Sequence, residues 1–134
     1  MLGGYFVKKS YNNGVEATLG VISGKWKPQL LCHLGKRPQR TCDLRQKLPA
    51  ISQKVLTQQL RELESDGVIV RHIYGDRAPF KVVYALTDLG RSLGQILVQM
   101  SVWGEQRASE VPDMEIRNGH SGFNQILKQT PEAL

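Results

Sequence analysis

The chain has 134 residues, 40% of them hydrophobic, with two cysteines and a formal net charge of +6. That length suits one ordinary domain, and two thiols are too few for a disulfide framework and lack zinc-ligand spacing. No apolar stretch approaches membrane-spanning length and no signal peptide opens the chain, so no membrane role is expected and the cytoplasm is the default compartment. The charge is uneven: residues 1–111 hold 16 Lys and Arg against nine Asp and Glu, whereas residues 112–134 hold two against three. A basic body with a near-neutral end suits a polyanionic partner, although a basic protein is also simply a soluble one.

Residues 1–14, rich in Gly, Asn, Tyr and Lys, read as a loose arm. Residues 15–22 are apolar enough for a short helix, interrupted at Ser23-Gly24. A second helix opens near Pro28, which a first helical turn tolerates. There Trp26, Leu30 and Leu34 make one stripe with Leu31 beside them, and Gly35 is expected to end the helix as a left-handed C′ residue. Residues 40–48 form a short amphipathic helix that Pro49 stops.

Ser52 begins the most informative segment. Its hydroxyl can cap a helix running from Gln53 to about Ser65. Leu56, Leu60 and Leu63 point to the core, and at about 100° per residue Lys54, Thr57, Gln58 and Arg61 share the opposite face. Asp66-Gly67 is a turn signal. Two β-branched runs follow, Val68–Tyr74 and Lys81–Leu86, joined by a loop long enough for a hairpin with an open tip. Thr87 then caps a long helix whose apolar positions are Leu89, Leu93, Ile96, Leu97, Met100 and Trp103, and Val111-Pro112 ends it. Residues 111–134 read as a tail with room for a short helix from Ser121 to Gln129. The fold class is mainly α with a small β-hairpin, an α+β arrangement, with its domain over residues 15–110.

The polar face of the helix at 53–65 carries the chemistry. Gln pairs with adenine edges and Arg or Lys with guanine in the major groove, while hydroxyls and cations fix phosphates. Ser52, Gln53, Lys54, Thr57, Gln58 and Arg61 are groups of that kind in the half of the helix that approaches bases. A merely solvated helix face would look similar. The hairpin adds Arg71, His72, Arg77 and Lys81 against a single Asp76, a concentration of charge suited to a phosphate backbone and a minor groove.

Several runs resemble the HxlR-type winged-helix regulators, relatives of the MarR-like repressors. They are Gly24-Lys25-Trp26-Lys27-Pro28, the unbroken segment from Ile51 to Gly67, then Arg71, Tyr74, Pro79, Lys81-Val82, Tyr84 and Leu86-Thr87-Asp88-Leu89-Gly90, with the likeness ending near Trp103-Gly104. The resemblance covers roughly residues 13–107. It implies a winged helix-turn-helix homodimer that binds double-stranded DNA, with recognition helix 52–65, wing 68–86, and a dimer interface drawn from the N-terminal segment (Val15, Leu19) and the long helix. Ile96, Met100 and Trp103 on that helix are expected to meet the partner.

The chain departs from the family pattern in two places. Many members carry a sensing cysteine just before the Val-Glu pair, where this chain has Asn13 ahead of Val15-Glu16. The wing reads Ala78-Pro79-Phe80 where a Pro-Pro pair is common, and Val83 replaces an acidic residue.

A thiol response would have to use Cys42, flanked by Arg40 and Arg45, or Cys32, which lies off the apolar stripe of its helix. The alternatives are a small-molecule effector or none. His33, His72 and His120 are scattered over unlike elements, and no metal or cofactor is expected. Glu62 and Glu64 at i, i+2 point apart and make no catalytic pair. With no catalytic set, an enzyme is rejected. The remaining competitor to a repressor or activator is a winged-helix module that binds only protein, which would expose more apolar surface on that helix.

Overall fold

The computed structural model describes residues 10–119 and 121–128. Four helices come first: α1 (Gly14–Ile22), α2 (Lys27–Lys36), α3 (Thr41–Lys47) and α4 (Gln53–Ser65). A hairpin follows, β1 (Ile69–Tyr74) and β2 (Lys81–Leu86), and then α5 (Asp88–Ser92), α6 (Gly94–Glu110) and α7 (Ser121–Lys128).

Local chemistry sets most of the boundaries. Asn13 Oδ1 accepts from the Glu16 backbone N–H at 2.8 Å and caps α1. The Arg40 N–H donates to Asp43 Oδ2 at 3.1 Å where α3 begins. Ser52 Oγ accepts from the Val55 N–H at 3.1 Å, so α4 starts where its capping hydroxyl was expected. Beyond α4, Gly67 takes φ 79° and reverses the chain into the hairpin.

The hairpin is antiparallel in a register running from Ile69 opposite Leu86 to Tyr74 opposite Lys81. Gln39, between α2 and α3, adds one residue to the outer edge of β2. Its N–H donates to the Tyr84 carbonyl at 2.9 Å and its carbonyl accepts from the Tyr84 N–H at 2.8 Å. The buried Gln39 side chain also donates to the His33 carbonyl and accepts from Lys47 Nζ, tying α2, α3 and β2 together.

The core comprises Leu30, Leu31 and Leu34 of α2, Leu44 of α3, Leu56, Leu60 and Leu63 of α4, the hairpin base, and Leu93 and Leu97. Trp26 packs against its edge.

Two expectations change here. Gly35 does not end α2: the helix runs on through Lys36, and Gly35 is buried within it. A Cβ there would collide with the Ile126 side chain and lie 3.2 Å from the Ile126 Cα, so the glycine permits α7 to approach closely.

The long helix capped by Thr87 is two helices. Thr87 does cap, accepting from the Gly90 N–H at 3.0 Å, but the Leu93 N–H reaches back only to the Gly90 carbonyl, at 3.1 Å. That tight turn, between Gly90 and Gly94, divides α5 from α6. Gly90 is needed because a Cβ would strike the Val68 carbonyl. Leu89 is exposed, whereas Leu93 and Leu97 are buried.

The segment after 111 forms α7 over the expected residues, as far as Lys128, and Gln129 lies outside the described residues. This helix packs on both α2 and α6, and Ile126 is fully buried. Among the described residues no helix is long and apolar enough to cross a membrane.

Candidate nucleic-acid interface

The exposed side of α4 is a rigid polar surface. Its opposite side is anchored by Leu56, Leu60 and Leu63, each at 0% exposure. Burying three leucines stabilises the docked helix by several kcal/mol, about 1.5–3 each. Gln53, Lys54, Thr57, Gln58 and Arg61 then line one shallow concavity together with Glu62. Ser52, Gln53, Lys54, Gln58 and Arg61 are exposed, and Thr57 is half-buried. Gln53 Nε2 donates to Thr57 Oγ1 at 3.1 Å, which pre-orients two of these groups.

Both glutamates of α4 have partners the sequence did not reveal. Glu62 Oε1 accepts from Lys27 Nζ at 2.8 Å, and the Lys27 side chain is only 8% exposed. This pair clamps α4 to the start of α2 and neutralises the one acid bordering the polar face. Asp66 sits close by, and burial pushes its carboxyl up, with Lys27 opposing and Glu62 reinforcing the shift. Glu64 Oε2 lies 3.9 Å from Arg71 Nε.

Arg71 is therefore held at the hairpin base. It faces Tyr84 across the strands as well as Glu64. Burial pushes the Tyr84 phenol up, and the charge and hydrogen bond of Arg71 pull it back. The other expected wing cations are further out. Arg77 is exposed in the loop at 75–80, and Lys81 is exposed with its Nζ 6.0 Å from the Tyr74 ring centroid. Phe80 is also exposed at the tip, and His72 stacks against Tyr74 with ring centroids 6.4 Å apart.

A residue the sequence reading passed over is Arg40. It is exposed at the N-terminus of α3 and borders the same groove as Lys81 and Tyr74. Its signal was available: a cation at the entry of the first helix of a helix-turn-helix faces the backbone that this helix crosses.

Val15 (69% exposed), Leu19, Ile96, Met100 and Trp103 (70%) are all solvent-facing in the single chain. Ile96, Met100 and Trp103 fall at i, i+4 and i+7 on the outer face of α6, while Leu97 turns inward.

The two cysteines occupy unlike settings. Cys42 is exposed, with its Sγ 4.0 Å from Asp43 Oδ1, so a carboxylate stands beside it as well as the arginines. Cys32 is half-buried beneath α7, where a Cβ on Gly122 would come within 2.9 Å of its Sγ. Burial pushes the Cys32 thiol up, with Lys36 opposing, which disfavours the reactive thiolate. Asn13, at the position of the family's sensing cysteine, is the helix cap already described. Among the described residues no three His, Cys, Asp or Glu side chains converge as a metal site would require.

Residues 21–112 match the HxlR-like helix-turn-helix family. The chain belongs to it. Within the family it is 53% identical over 104 residues to YtcD of Bacillus subtilis, described as an uncharacterized HTH-type transcriptional regulator, across 78% of this chain and 82% of that protein. Among solved structures, the redox regulator HypR in its reduced form superposes with a TM-score of 0.66 at 46% identity, over 71% of this chain and 93% of HypR. Reduced YodB, a transcriptional regulator of B. subtilis, superposes at 0.64 with 28% identity, over 76% and 99% of the two chains. The winged helix-turn-helix is thus common to this chain and these regulators, with α3 and α4 as the two helices and β1–β2 as the wing. The α7 helix lies beyond the residues matched to the family.

Proposed function

We propose that this protein regulates transcription by placing α4 in the major groove of duplex DNA and its wing along the flanking backbone. It is a DNA-binding regulator of the HxlR type, and its action is binding rather than catalysis, in the compartment that holds the DNA. The observation that carries the reading is the surface of α4: a capped helix, anchored by buried leucines, whose exposed side gathers Gln53, Lys54, Thr57, Gln58 and Arg61 with its neighbouring acid neutralised by Lys27. Gln58 is the base-reading candidate, while Lys54, Arg61, Arg77 and Lys81 are phosphate ligands, with Arg40 added to them. Arg71 supports the wing through Glu64 and Tyr84 and contributes less to phosphate binding than its charge suggests.

The protein acts as a homodimer through the exposed apolar residues of α1 and α6. Two recognition helices about 34 Å apart would then enter successive major grooves, so the operator is an inverted repeat. Titration of a fluorescent duplex at increasing salt tests the proposal. Affinity should fall linearly on logarithmic axes. Arg77→Ala should weaken binding to all sequences and reduce the salt slope by about one, while Gln58→Ala should cost about 1–3 kcal/mol on the preferred sequence only. Absence of duplex binding at low salt would leave a protein-docking module in its place.

A further inference from the structure

A second site lies away from the α4 face. A cavity of about 580 Å³ opens between α2, the end of α3 and the segment entering α7. Its lining is divided by chemistry. Lys36, Lys47 and Arg117 supply three cations, Leu48 and Phe123 an apolar wall, and no carboxylate is among its described lining residues.

The nearby acids are engaged at the margin. Glu115 pairs with Arg117 at 3.5 Å in an exposed pair, Glu105 accepts from Ser101 Oγ at 3.3 Å, and Asp43 accepts from the Arg40 N–H. Exposed pairs of that kind contribute little and are readily exchanged.

Arg117 has Glu115 as its charge partner, whereas Lys47 Nζ donates to the neutral Gln39 Oε1. Burial holds Lys47 below its usual range, with Arg37 and then Lys36 adding to the shift against the pull of Asp43. His33 also lines the cavity, and its buried Nδ1 has no hydrogen-bond partner. Burial holds its imidazole below the usual range, and Lys36 and Lys47 add to that shift. A pocket of this size, part apolar and part lined by cations, has the character of a ligand site. Lys36 disfavours the charge of nearby Lys47, and an anion that accepts hydrogen bonds from both relieves it, while Arg117 can exchange its exposed Glu115 for the same anion.

We propose that this cavity binds a small organic anion, its carboxylate or phosphate head held by Lys36, Lys47 and Arg117 and its apolar body against Leu48 and Phe123. The site is assembled with residues beyond the family match, since Arg117 and Phe123 follow residue 112. It also stands independently of the duplex reading, because none of its lining residues belongs to α4 or the wing.

Calorimetric titration of the full chain with benzoate, phenyl phosphate, neutral benzamide and inorganic phosphate tests it. Benzoate or phenyl phosphate should bind at least about tenfold more tightly than benzamide, and whichever is tighter identifies the head group. Lys36→Gln and Arg117→Gln should each weaken that anion by about tenfold with an unchanged circular-dichroism spectrum. In a Cys42→Ser background the bound anion should slow modification of Cys32, whose side chain lines the cavity. The proposal is overturned if neither organic anion binds, if benzamide binds equally well, or if inorganic phosphate alone matches phenyl phosphate. It is equally overturned if both substitutions leave affinity unchanged. Should Arg117→Gln fail to fold, Lys36→Gln decides, because Lys36 is exposed at the end of α2.

Discussion

The α4 and α6 helices present opposite faces to solvent. Both bury leucines on one side, Leu56, Leu60 and Leu63 in the first and Leu97 in the second. The outer side of α4 carries Lys54, Gln58 and Arg61, whereas the outer side of α6 carries Ile96, Met100 and Trp103. A polar face is already satisfied by water and gives it up only for a partner with its own charges and hydrogen-bond groups. An apolar face gains simply from being covered. The contrast is what the proposed division of partners rests on, nucleic acid at α4 and a second copy of the protein at α6.

The sharpest way to break that assignment is to charge the outer face of α6. Met100→Asp with Trp103→Asp should convert the dimer to a monomer in sedimentation and, by removing the second half-site contact, reduce operator affinity by a factor on the order of 10²–10⁴. The fold of the monomer should survive, since both side chains are exposed in the single chain. A dimer that persists in this variant would place the interface elsewhere.

On the buried side, Leu60→Ala should destabilise the protein by about 2–5 kcal/mol in urea unfolding, because a fully buried leucine leaves a cavity. Trp103→Ala should cost far less when measured below the dimer dissociation constant.

Glu62→Gln separates stability from binding on α4. The nearly buried Lys27 loses its charge partner, at a cost of about 1–3 kcal/mol of stability. Duplex affinity should nevertheless rise, because an acid leaves the rim of the polar face. Unchanged or weaker duplex binding in this variant would argue that Glu62 is part of the recognition surface.

The smallest effect concerns pH and lies outside both helices. The imidazole of His33 is held below its ordinary value of 6.5, first by burial and then by Lys36 and Lys47. Above that value the group is neutral in both the folded and the unfolded chain. On acidification the unfolded chain takes up the proton first, so stability falls as pH drops below about 6.5 toward the folded value. His33→Gln should flatten that part of the curve of unfolding midpoint against pH. An unaltered slope would assign the acid sensitivity to another group.

Much of the fold was legible because its determinants are local. The Ser52 hydroxyl, the leucine spacing of α4 and the β-branched runs each act within one turn or one hairpin, and α4 and the two strands formed within a residue or two of the expected bounds, while the Thr87 cap placed the start of its helix but not its length. The polar face of α4 was legible for the same reason: helical periodicity alone puts Lys54, Thr57, Gln58 and Arg61 together.

What tertiary structure alone decided involves residues distant in sequence. Gly35 reads as a helix stop by its type, yet its requirement is the approach of Ile126, 91 positions away. Glu62 reads as a surface acid, and only the docking of α2 against α4 supplies Lys27. Arg71 reads as a free wing cation, until strand register and α4 bring Tyr84 and Glu64 to it. The break at Leu93 and the close approach of Gly90 to the Val68 carbonyl are features that a continuous apolar stripe does not encode. Amino-acid type and spacing determined which segments become helices and which face of each is polar. The partner of each buried charge and the close approaches allowed by glycine depend on which elements pack together, and so did the cationic cavity closed by α7.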